Sequence, residues 1–103
     1  GCIVARKDYV EQNKETVEAV LTEDQGSVEY PQSKLDETAA LGETDGVIPG
    51  AAVAKQAIPR CSITFQSGTA MRDIATANLT VLYEANAQSV GGSLPGDDFW
   101  YGV

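Results

Sequence analysis

Histidine is absent from this chain, and with it goes a good deal of chemistry. No imidazole means no Ser-His-Asp triad, no histidine general base and no histidine-built zinc site. Cysteine is nearly absent too: Cys2 and Cys61 form no CxxC pair, which removes the usual thiolate zinc site. The two thiols have two open fates, a bridge closing most of the chain in an oxidising compartment, or burial as small hydrophobes. Bases are scarce, 7 Lys and Arg against 15 Asp and Glu, for a net charge of −8. Phosphate backbones and anionic membrane surfaces are therefore poor partners, since both draw affinity from lysine and arginine. No run approaches the roughly 18 apolar residues needed to span a bilayer. The opening GCIVARKDYVEQN lacks the basic, apolar and small-residue zones of a signal peptide, so either the protein is cytoplasmic or its leader lies outside this chain.

What is present is a globular composition, 43% hydrophobic over 103 residues, which suits one domain. The charge is uneven. Residues 1–46 carry 11 acids and 4 bases, whereas residues 47–103 carry 4 acids and 3 bases, so the first part is the more solvated.

Cys2–Arg6, short and β-branched, reads as a first strand, and CSITF, from Cys61 to Phe65, alternates as a second. Between them the pattern turns helical. A short turn is expected over Asp8–Gln12 and a break at Asn13. A helix then runs from Lys14 to about Asp24, which Gly26 ends or weakens. Pro31 separates it from SKLDETAALGE, a second helix with Ser33 as N-cap, Asp36 and Glu37 in its first turn, and Gly46 at its close. An alanine-rich third helix begins near Pro49 and stops before Pro59. The clearest helix follows Ser67 or Thr69, with Met71, Ile74, Ala75, Leu79 and Leu82 on one stripe. The expected fold class is thus α/β and helix-rich, with two short strands and about four helices. Two strands make too small a sheet to stand alone, so the chain reads as part of a larger layer.

Few residues offer chemistry. Ser67, Gly68 and Thr69 join the expected second strand to a helix N-terminus, where backbone amides and the helix dipole favour an anion, so they are the candidate ligand contacts. Ordinary capping explains the same residues. Asp97 and Asp98 lack the alternating acids and closing glutamate of a calcium loop, and no metal or cofactor is expected. Phe99, Trp100 and Tyr101 read as aromatics that dock on their own lobe. Acid pairs such as Glu15 with Glu18 and Asp36 with Glu37 lie on faces already dense in charge, and Arg6 and Lys7 flank a strand end, so no catalytic residue is assigned.

Three stretches, VARKDYVEQN, AVAKQAIPRCSITF and LTVLYEANAQSVGGSLPGDDFWY, resemble the C-terminal region of bacterial ABC-transporter substrate-binding proteins, in the branch that serves nitrate, sulfonates, taurine and thiamine precursors. In that family an SVGG turn leads through a proline and acids to an aromatic finish. The resemblance implies two α/β lobes of the type II kind, a ligand cleft between them, and a closed form read by the transporter. It implies that residues 1–103 are the C-terminal portion of such a protein. The partners would be a small-molecule ligand and the membrane subunits of an ABC importer, and the location extracytoplasmic, whether periplasmic or lipid-anchored. A stand-alone protein-interaction module, pairing as a homodimer through its aromatic tail, is the other reading of the same residues.

Overall fold

A computed structural model describes every residue from Gly1 to Val103, and it corrects the expected class. The chain is 69% helical and contains no strand, so the fold is all-α. Five α-helices appear in order: α1 (Lys7–Gln12), α2 (Lys14–Ser33), α3 (Leu35–Thr44), α4 (Ala51–Ala57) and α5 (Gly68–Ala85). Short 3-10 turns occupy Ile58–Arg60, Ala87–Val90 and Asp97–Phe99. The chain divides into two units, Gly1–Phe65 and Gln66–Val103.

Neither expected strand forms, because neither stretch finds a strand to pair with. Residues 1–6 sit outside any regular element with Ile3 and Val4 exposed, because a β-branched run becomes a strand only against a partner. In the second stretch Ser62 adopts φ 51°, left-handed geometry that interrupts an extended course. The Ile63 carbonyl instead accepts a hydrogen bond from Gln32 Nε2 at 3.1 Å, which ties this segment to the end of α2.

In the first unit, Asn13 serves two helices at once. Its amide and its Nδ2 both donate to the Tyr9 carbonyl, closing α1, while its own carbonyl accepts from Val17 to open α2. α2 then runs through Gly26 and Pro31 rather than ending near Asp24. An interior glycine costs about 1 kcal/mol and an interior proline about 3 kcal/mol. What offsets them is a half-buried stripe at helical spacing, Val17, Leu21, Asp24, Val28 and Pro31, that continues to Leu35. Gln25 Nε2 also donates to Glu29 Oε1 across one turn. The helix stops within three residues of Pro31, at Lys34, and Ser33 lies inside α2 instead of capping α3.

α3 ends in a Schellman turn. The Gly46 amide donates to the Glu43 carbonyl and the Val47 amide to the Gly42 carbonyl, with Gly46 at φ 70°. Ile48 folds back over Gly42, whose missing Cβ would lie 3.2 Å from Ile48 Cδ1. Glu43 Oε2 accepts from the Ala51 amide, so one acid links the end of α3 to the start of α4. Ala39 of α3 and Ala54 of α4 are the only fully buried residues of the chain, and Lys55 pairs with Asp36 at 3.0 Å. Helix α4 begins two residues after the expected Pro49, and the chain continues past it as a 3-10 turn that includes Pro59.

The second unit is one helix and the chain that follows it. The expected stripe of α5 is split: Met71, Ala75 and Leu79 are half-buried, whereas Ile74 and Leu82 are exposed. Asn78, which interrupts the stripe, is exposed as well. Beyond α5, Asn86 Oδ1 accepts from the Gln88 amide, and Ser89 Oγ donates to the Leu82 and Asn86 carbonyls. Gly91 and Gly92, at φ 81° and 90°, then reverse the chain, a course that only glycine takes without strain.

Candidate functional site

The residues expected to meet a ligand stand at the start of α5. Ser67 is the N-cap, in extended geometry, but its side chain makes no capping hydrogen bond. Gly68 opens the helix at φ 58°, half-buried, with Ser67 and Thr69 exposed on either side. The structure thus brings the three together as adjacent members of one turn. What faces them is the protein's own tail: the carbonyl oxygen of Gly102 lies 3.4 Å from the point that a Cβ on Gly68 would occupy. A carbonyl oxygen presents negative charge, and an anion seated beside it would meet repulsion.

One turn further along α5, Arg72 Nη2 pairs with Asp97 Oδ1 at 2.5 Å. Arg72 is the only base on the helix, and this contact takes it up. Asp97 heads the last 3-10 turn, so the pair fastens the tail to the first turns of α5. Behind it Phe99 and Trp100 meet edge to face at 5.1 Å, with Trp100 half-buried and Phe99 61% exposed. The tail wraps on its own unit, but its aromatics are only partly covered.

The acid pairs weighed from sequence are spent on structure or solvent. Asp36 pairs with Lys55, and Glu37 accepts a hydrogen bond from the Tyr30 hydroxyl at 2.8 Å with Lys34 nearby at 3.6 Å. That hydrogen bond, reinforced by desolvation and by the carboxylate's charge, pushes the Tyr30 phenol above its ordinary value. Glu15 and Glu18 are exposed on α2, and Arg6 pairs with Asp8 at 2.7 Å. No group of three or more acids and cysteines stands close enough to share a metal ion.

Both thiols are free and exposed, so burial as small hydrophobes is corrected for Cys2 and Cys61 alike. Cys61 Sγ donates to the Ala57 carbonyl at 3.2 Å. It borders a shallow, open depression along α4 lined by Val53, Ala57 and Arg60. A depression of this kind encloses no small molecule, because ligand pockets bury most of their occupant.

Sequence reasoning missed two features. The pairing of Arg72 with Asp97 joins residues that are distant in sequence, and of the two only Asp97 is among the residues weighed from sequence. The second is the exposed side of α5, where Ala70, Ile74, Ala77 and Val81 follow one another at spacings of four and three. Of these four residues only Ile74 belongs to the stripe expected from sequence. No helix of the protein is long and apolar enough to cross a membrane. No protein-family model matches the chain, and neither a curated protein nor a solved structure does.

Proposed function

We propose that this chain is a non-catalytic helical piece completed by other polypeptide, and that the polypeptide is the remainder of a solute-binding protein delivering a small molecule to an ABC importer. The observation that carries the first half is surface. A compact monomer of this mass exposes about 5,600 Å2, and even two compact pieces divided at Phe65 would expose about 6,700 Å2. The chain exposes 7712 Å2 and fully buries two alanines. Exposed Ile3, Val4, Val47, Val53, Ile74 and Val81 make up part of the difference. In this reading those side chains are covered by the polypeptide that completes the chain.

The second half rests on the resemblance of the stretch from Leu79 to Tyr101, whose SVGG reversal is built from two left-handed glycines. In this reading the chain supplies helices and no strand, it buttresses a cleft formed elsewhere, and its location is extracytoplasmic. Because Phe99 is largely exposed, a stand-alone interaction module that pairs through its tail is the competing reading.

Two measurements separate them. The solute-binding reading expects the 103-residue chain to melt without a sharp transition, and the longer protein that contains it to gain thermal stability with one member of a panel of small organic anions and thiamine precursors. A sharp, cooperative melt of the isolated chain, unchanged by removing Leu94–Val103, would overturn the idea that it needs completion. A longer protein that no small molecule stabilises would overturn the transport assignment alone.

A further inference from the structure

Helix α5 is apolar over a wider arc than its own unit covers. At 100° per residue, the run Ala77, Ala70, Val81, Ile74, Ala85, Met71, Leu82, Ala75, Leu79 spans about 200° of the helix surface, broken only by Asn78. A helix packed on one side needs an apolar stripe roughly half as wide. Met71, Ala75 and Leu79 occupy the covered half, while Ile74 at 59% and Val81 at 65% exposure stand in the open half beside exposed Ala70, Ala77 and Ala85.

The border of the open half is charged with one sign. Asp73 and Glu84 lie along one edge, about 16 Å apart on the helix axis. Both are exposed, and neither side chain has an ion pair or hydrogen bond. The helix's single base, Arg72, projects from the far side and is bound to Asp97. A second copy laid antiparallel would set Asp73 against Glu84, and laid parallel it would bring those acids no cation. An occupant with lysine or arginine beside its apolar residues answers both features of the face.

We propose that the Ala70, Ile74, Ala77 and Val81 face of α5 docks an amphipathic helix bordered by lysine or arginine. This rests on the reading that the chain is completed by other polypeptide, and it says where on the second unit and with what chemistry. The acids steer and orient the docked helix, while Ile74 and Val81 supply the contact that holds it.

The test uses the 103-residue chain and fluorescence anisotropy with three labelled peptides matched to α5 in length. One is an amphipathic Leu/Lys helix, one its Leu/Glu counterpart, and one a scramble of the Leu/Lys composition. The Leu/Lys helix is expected to bind about tenfold or more tighter than either control. Val81→Asp should weaken it about tenfold, the scale of one buried valine. This variant adds an acid, so a merely coulombic attraction to an acidic chain would be kept or strengthened by it. Asp73→Asn with Glu84→Gln should weaken binding about threefold and flatten its salt dependence. Ile74→Gln carries the same expectation as Val81→Asp, should circular dichroism show that the aspartate has unwound the helix. Equal binding of the Leu/Glu peptide or of the scramble, or binding untouched by Ile74→Gln, would overturn the proposal. So would a dimer in sedimentation that either apolar substitution dissolves, because the occupant would then be a second copy. A failed solute screen leaves these outcomes unaffected, and a failed peptide titration leaves the transport assignment standing.

Discussion

The two units solve the same problem with different means. Gly1–Phe65 brings α3 and α4 together at Ala39 and Ala54, where two small side chains are fully buried, and fixes the turn between them with Gly46, Ile48 and Glu43. Gln66–Val103 has no fully buried residue, and its shape depends on hydrogen bonds at Asn86 and Ser89, two glycine reversals and one exposed ion pair. Fewer than about 40 residues seldom bury enough apolar surface to be stable without a disulfide, a metal or a partner. The first unit is held by close approach, the second by local bonds that water can replace. On the proposal that other polypeptide completes the chain, that difference places the need most sharply on α5.

Overpacking should break the first unit while leaving the second as it is. Ala54→Leu puts three more heavy atoms where α3 and α4 meet with no room between them, and a cost of about 1–3 kcal/mol is expected. Hydrogen exchange checks it: protection of amides in α3 and α4 should fall by about tenfold or more, with amides of α5 unchanged. Loss of protection throughout both units would show that they are not energetically separate.

A matched pair of turns gives a smaller effect that compares the units on equal terms. Gly46 closes α3 at φ 70° and Gly91 follows α5 at φ 81°, and a Cβ at either meets no atom within 4 Å, so alanine is opposed by backbone geometry alone. Gly46→Ala and Gly91→Ala should each cost about 1–2 kcal/mol. Amide hydrogen exchange in α3 should register the first. The second should be muted, because unit two has little cooperative structure for the strain to oppose.

How much of this was legible in the sequence depended on whether a signal was local. The break at Asn13 and the end of α3 at Gly46 follow from residues that act on their own backbone, and both are found where the pattern puts them. The strands fail because Cys2–Arg6 and Cys61–Phe65 carry β propensity without a neighbour, and propensity of that kind is mostly a record of packing. The expected end of α2 near Asp24 falls too early, because Leu21, Val28, Pro31 and Leu35 keep helical spacing through Gly26 and Pro31 alike. At the candidate site, Ser67 is at the cap position, yet the tail path that sets Gly102 against Gly68 and Asp97 against Arg72 is a tertiary fact with no local signature.

The smallest expected effect is a pH dependence confined to the first unit. The Tyr30 hydroxyl bridges the α2–α3 break by donating to Glu37, and the folded chain holds that phenol above its ordinary value of 10.0. A raised value means the fold prefers the protonated form, so the contribution is fully present below the unfolded value of about 10 and is lost as pH climbs through the higher folded one. Ionisation removes the donor and sets a phenolate against a carboxylate. The ultraviolet phenolate absorbance of the native chain minus that of Tyr30→Phe should therefore have its midpoint above 10, and Glu37→Gln should lower it, because the amide keeps an acceptor without the charge. The exposed Arg72–Asp97 contact in the second unit should respond to added salt instead. A difference titration centred at or below 10 would mean that Tyr30 and Glu37 are not joined in solution, and the junction between α2 and α3 would then depend on Lys34 and the half-buried stripe alone.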